Sequence, residues 1–107
     1  MRLKIDDDYL LDRLKRLLQT PSPSGYTDHI ARECAVELQR LGLRVEVTRR
    51  GAIRARLPGE VDQPARAIVA HVDTLGAQVK QLKDNGRLEL VPIGQWSARF
   101  AEGARCT

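Results

Sequence analysis

The 107-residue sequence is short of aromatic residues, of cysteine and of lysine. Trp96, Phe100, Tyr9 and Tyr26 are the whole aromatic set. A core built from this chain is therefore aliphatic, made of Leu, Val, Ile and Ala. Cys34 and Cys106 are far apart and form no CxxC pair. Cys34 falls on the apolar face of a helix, so a reduced, buried thiol is expected there rather than a disulfide. No apolar run approaches the roughly 20 residues of a membrane span. The opening MRLKIDDDYL is too acidic for a secretory leader, so a cytoplasmic protein with no membrane partner is expected.

The positive charge is almost entirely arginine. Fourteen Arg and four Lys face 14 acidic residues, for a net charge of +4 and a pI near 9.5. The arginines are spread from Arg2 to Arg105, with no run longer than Arg49-Arg50. Scattered charge describes a solvated surface, and no nucleic-acid partner is expected. An Arg-rich nucleic-acid-binding module using the Arg49–Arg56 stretch stands as the alternative, with a steep salt dependence as its signature.

Periodicity gives an α/β chain of one domain's size. Asp6 to Asp8 offer a helix cap, and Leu10, Leu11, Leu14, Leu17 and Leu18 follow at helical spacing up to Thr20-Pro21. "PSPSGYT" (21–27) reads as a loop. Thr27 or Asp28 caps a second helix with the stripe Ile30, Ala31, Cys34, Ala35, Leu38 and Leu41, closed by Gly42. Leu43, Val45 and Val47 alternate with polar residues, as do Ile53, Ala55 and Leu57, so Arg49-Arg50-Gly51 turns a hairpin. After Gly76 alternation returns around Asp84-Asn85-Gly86, a second hairpin signal.

One stretch differs in kind. Ala67 to Ala70 are four consecutive apolar residues, the pattern of a strand covered on both faces. His71 is then at its C-terminal end, where open α/β sheets gather their chemistry. Asp73 lies two residues on, on the same side of an extended chain. A neutral imidazole ligates a divalent metal, and a nearby carboxylate accepts its other ring N–H. The competing reading is a chance His-x-Asp pair, and His71 alone supplies too few ligands for a catalytic metal. His29 reads as a surface histidine.

Three segments, "TPSPSGYTDHI", "ELQRLGLRVEVTRRGAIRARLPG" and "AIVAHVDTLGAQVKQLKDNGRLELVPIGQWSARFAEGARCT", resemble the glutamyl-aminopeptidase-like metallopeptidases. The resemblance runs from about Leu10 to Thr107. It implies a dinuclear zinc or cobalt exopeptidase that acts on short peptides and assembles into a large tetrahedral homo-oligomer. By the resemblance, His71 is a ligand of one of two divalent metals, and Asp73 orients that histidine. Residues 1–76 become the N-terminal part of a mixed-sheet catalytic domain, and 77–107 the first strands of an inserted β-rich oligomerisation domain.

The family usually reads His-x-Asp-Glu-Ile-Gly, whereas Thr74 and Leu75 precede Gly76 here. Thr74 is similar to a subgroup found beside osmoprotectant dipeptide synthesis, so which peptide end is trimmed stays open. The family's metal-bridging Asp, its Glu-Glu pair and a further Asp and His have no match in this chain. The sequence accordingly reads as an N-terminal fragment, inactive alone, of a metal-dependent aminopeptidase. A non-catalytic assembly remnant of the same family is the other alternative.

Overall fold

The computed structural model describes residues 4–61 and 63–107. Helix α1 spans Asp7–Gln19 and α2 spans Asp28–Arg40. Two antiparallel hairpins follow: β1 (Arg44–Val47) with β2 (Ile53–Arg56), and β3 (Gly76–Leu82) with β4 (Leu88–Ile93). A short 3-10 turn covers Ala98–Ala101.

The helix ends follow local chemistry. The Asp6 carboxylate accepts the Tyr9 backbone N–H at 3.0 Å, satisfying one of the orphan donors of the first turn. Thr20 closes α1 ahead of Pro21. Its hydroxyl lies 2.9 Å from the Arg16 carbonyl and 3.1 Å from the Glu33 carboxylate of α2. Thr27 is the N-cap of α2 but makes no side-chain cap bond. At the other end Gly42 sits at φ +81° while the Gly42 and Leu43 N–H groups donate to the Gln39 and Leu38 carbonyls. That is a Schellman ending, and it needs a residue at ease with positive φ. The two helices are tied by Arg13 and the Tyr9 hydroxyl, both bonded to Glu37 at 3.0 Å.

Both hairpins turn by one device. Thr48 N–H donates to the Ala52 carbonyl and Gly51 N–H to the Thr48 carbonyl. Lys83, Arg87 and Gly86 repeat the arrangement, with both glycines at positive φ. Each is a three-residue loop whose last residue is a left-handed glycine. The pairing Val45↔Ala55 and Val47↔Ile53 puts the apolar residues of β1–β2 on one face, and the hairpin packs on α2. In β3–β4 the register slips at Lys80, and Pro92 pairs with Ala77 close to the strand end, where a missing N–H is tolerated.

Glu89 on β4 is bracketed by Lys80 at 2.6 Å and Lys83 at 3.2 Å, and these ammonium groups hold its carboxyl below the usual range. A lowered carboxyl pKa stabilises the ribbon above the ordinary value near 4.3 and stops doing so as pH falls through the lowered value. Glu89→Gln should therefore loosen the ribbon slightly at neutral pH, less in high salt, and not at all at a pH low enough to protonate Glu89 in the folded protein. Amide exchange along β3–β4 in both proteins measures this; a difference of equal size at both pH values would contradict it.

The core is small. Ile30 and Ala35 are the buried apolar side chains among the described residues, while Leu10, Leu11, Leu14 and Leu18 of α1 are exposed. The radius of gyration is 18.5 Å, against about 13 Å for a compact chain of this length. Much of the apolar stripe read from the sequence therefore lacks a partner within these residues.

The expected central strand is corrected here. Residues 67–70 belong to no strand, and Ile68 and Val69 are 100% and 89% exposed. A strand exists only where neighbours take up its N–H and C=O groups. Each hairpin pairs only with itself, so the apolar run has no ladder to join. The coarse α/β reading holds, with two helices and two small antiparallel sheets.

Candidate metal-ligand site

The site is built where the loop after α1 meets the chain just before β3. Thr74 N–H donates to the Ser22 carbonyl at 2.8 Å, and Ser24 N–H donates to the Thr74 carbonyl at 3.3 Å. These bonds make a one-residue parallel bridge between Pro23 and Thr74. The fully buried Ser22 adds its hydroxyl to the Val72 carbonyl at 3.0 Å. Gly76 lets the two segments close: a Cβ there would lie 2.6 Å from Cβ of Pro23.

This clasp presents His71 and Asp73. Nδ1 of His71 lies 3.0 Å from Oδ1 of Asp73 and 3.0 Å from the Asp73 carbonyl oxygen. Both neighbours only accept, so the proton of the neutral ring sits on Nδ1. Nε2 is left with its lone pair, on a side chain that is 83% exposed. The second carboxylate oxygen, Oδ2, accepts the Ser24 hydroxyl at 2.5 Å. The Ser24 hydroxyl first, and the His71 ring next, hold the Asp73 carboxyl below its ordinary range, so it is ionised at neutral pH. Strand alternation is not what joins His71 to Asp73, because residues 71–73 are not in a strand. The bridge at Thr74 sets their geometry instead.

An exposed Nε2 lone pair beside an ionised carboxylate fits one position of a divalent cation, with the tautomer already chosen. It fits no more than that. Among the described residues no three His, Cys, Asp or Glu side chains group closely enough to hold a metal ion. His29 lies on α2 and is exposed. The clasp around Ser22 and Ser24 was not anticipated as part of the site: a Pro/Ser/Gly stretch reads locally as punctuation, and its partners are about 50 residues away.

His71, Val72 and Asp73 border a wide cleft shared with Ile68, Val69 and the facing sides of α1 and α2. Cys34 also borders it and is half-buried, and burial pushes its thiol pKa up. No helix among the described residues is long and apolar enough to cross a membrane.

The sequence profile of the M42 glutamyl aminopeptidases matches residues 51–107, more than half of the chain and inclusive of His71, Asp73 and the ribbon. The chain belongs to the M42 glutamyl aminopeptidase family. It is 34% identical over 96 residues to YhfE of Bacillus subtilis (strain 168), a protein that carries an aminopeptidase name; the match covers 90% of this chain and 28% of that protein. It is 28% identical over 99 residues to a glutamyl aminopeptidase of Lactococcus lactis subsp. cremoris, covering 92% of this chain and 28% of the relative. A lysyl aminopeptidase of Pyrococcus furiosus is 29% identical over 82 residues, or 76% of this chain and 23% of the relative. The M42 chain thus spans about a quarter of the length of these relatives.

Proposed function

We propose that this M42 chain carries one corner of a two-metal aminopeptidase site, with His71 as a metal ligand and Asp73 as the group that orients it. The observation that carries the reading is the His71–Asp73 pair itself. Nδ1 is committed to an ionised carboxylate, and Nε2 stands exposed with its lone pair. Aminopeptidase names among the relatives favour peptides as substrates. The metals, zinc or cobalt, would supply a water of lowered pKa and polarise the scissile carbonyl. His71 would hold one of them through Nε2, and Asp73 would keep the ring from rotating and raise its basicity.

The reaction class is hydrolysis of the first peptide bond of short peptides. The remaining ligands and the general base come from outside these residues. The division at Gly76 belongs to the same reading, with residues 77–107 opening a β-rich domain that serves homo-oligomeric assembly. A cytoplasmic location accompanies it.

The test uses aminoacyl p-nitroanilides. Residues 1–107 alone should give no turnover with added Zn²⁺ or Co²⁺, since one imidazole and one carboxylate cannot hold two ions. The full-length protein should hydrolyse them, lose activity to a chelator and regain it with metal. Hydrolysis indifferent to the chelator would refute the metal-dependent reading.

A further inference from the structure

The PSPSG loop has no assigned part in catalysis, yet it makes the most direct contact with the pair that the proposed function depends on. We propose that Ser24 is a positioning residue: its hydroxyl fixes the Asp73 carboxylate, and so reinforces the Nδ1–H tautomer of His71 that the Asp73 carbonyl also favours and aims Nε2 at a metal. The effect of that aim on metal binding rests on the metallopeptidase reading above. The relay itself does not.

The geometry carries the proposal. A carboxylate can rotate about its Cβ–Cγ bond, and a single acceptor contact to His71 leaves that rotation free. Asp73 has two side-chain contacts, on different oxygens: His71 on Oδ1 at 3.0 Å and Ser24 on Oδ2 at 2.5 Å. Two donors on opposite oxygens pin the carboxylate plane. The hydroxyl has one proton, and it points at Oδ2, so Ser24 acts on the carboxylate as donor. The loop cannot drift away, because Ser22 and Ser24 are bonded through the backbone to Thr74 on either side of Pro23, and the buried Ser22 hydroxyl holds Val72. Ser24 therefore reaches Asp73 from a rigid clasp whose far side is the same three-residue segment, Val72 to Thr74.

This separates the two serines. Ser22 holds the backbone, and Ser24 holds the carboxylate. Losing the hydroxyl of Ser24 leaves the Asp73 carboxylate with His71 as its one side-chain donor, so Oδ1 holds Nδ1–H less well and the Asp73 carbonyl, also 3.0 Å from Nδ1, carries more of that bond. A net hydrogen bond is worth about 1 kcal/mol, which corresponds to about fivefold in an equilibrium.

The experiment reads the imidazole directly. The chain contains two histidines, so ring-nitrogen NMR of a ¹⁵N-histidine-labelled, metal-free sample gives two sets of signals, with His29 on α2 as internal reference. Spectra are taken at rising pH and read where the ring signals no longer change with pH. Wild type should show His71 chiefly as Nδ1–H. Ser24→Ala should lower the ratio of Nδ1–H to Nε2–H by up to about fivefold and leave His29 unchanged. Ser24→Thr, which keeps the hydroxyl, should restore the ratio.

Ser22→Ala is the control for a clasp that merely loosens, with the Thr74 amide reporting the backbone in every variant. It should disturb that amide more than Ser24→Ala and the tautomer less. An unchanged ratio in Ser24→Ala overturns the proposal, as does an equal change in Ser22→Ala. The metal reading fails separately: a tautomer that follows Ser24 in a protein whose hydrolysis ignores chelators would leave the relay standing and remove the peptidase site.

Discussion

His71→Ala in the full-length protein should lose one metal position and all measurable peptide hydrolysis, whereas Asp73→Asn should lose only part of each. The difference follows from what each side chain touches. His71 offers the exposed lone pair, and nothing else among the described residues is placed to replace it. Asp73 offers its oxygens to Nδ1–H and to the Ser24 hydroxyl, so in the proposed site it works on the metal through the ring. Losing a partner of this outer kind typically costs about 10–100-fold in affinity or activity. Asn keeps the shape and one acceptor oxygen but no charge, and its amide NH2 can turn toward Nδ1 and favour the wrong tautomer. Excess metal should recover the portion of the loss that comes from affinity in Asp73→Asn and recover nothing in His71→Ala. Metal per chain by mass spectrometry, and rate against metal concentration, measure both. Two metals per chain with normal turnover in His71→Ala would make His71 an ordinary surface histidine.

Much of the local structure was legible. Leucines at helical spacing, Asp6 as a cap and Pro21 as a stop define α1, and the ring-free glycines at 51 and 86 mark both hairpin turns. These signals act over a few residues, which is why sequence alone carries them. What failed was the environment of Ala67–Ala70. Four apolar residues state a preference for burial but do not name a neighbour, and within these residues none is supplied. That His71 and Asp73 lie close together was expected from their spacing, but the reason expected, a shared strand face, is not the one observed, since residues 71–73 are in no strand. The clasp was not legible. Ser22 and Ser24 bond to Val72 and Asp73 across about 50 residues, and no local pattern encodes a contact of that range. Pro23 and Gly76 are its only compositional trace: a glycine placed where two segments approach.

That approach gives the second large effect. Gly76→Ala should pry the clasp open, because the added Cβ would lie 2.6 Å from Cβ of Pro23. The clashing atom belongs to a ring closed onto the backbone, so no side-chain rotation relieves it and one of the two segments must move. Overpacking of this sort costs about 1–3 kcal/mol. The movement falls on the Pro23–Thr74 bridge and therefore on the Ser24–Asp73–His71 relay. Gly94→Ala is the informative contrast. There the added carbon meets Cδ2 of Leu75 at 2.7 Å, the tip of a flexible side chain, and the remaining cost is the left-handed backbone at φ +86°. The tip of Leu75 can turn away and the backbone strain stays at the end of β4, so Gly94→Ala should destabilise the ribbon end and disturb the His71 tautomer less than Gly76→Ala does. Pro23→Gly removes the opposing Cβ, and in combination with Gly76→Ala it should recover part of the loss even though Pro23→Gly alone loosens the loop. A double-mutant cycle in denaturant, read beside the His71 ring signals, gives the coupling. Additive losses, with no recovery in the double variant, would show that Gly76 does not serve the close approach to Pro23.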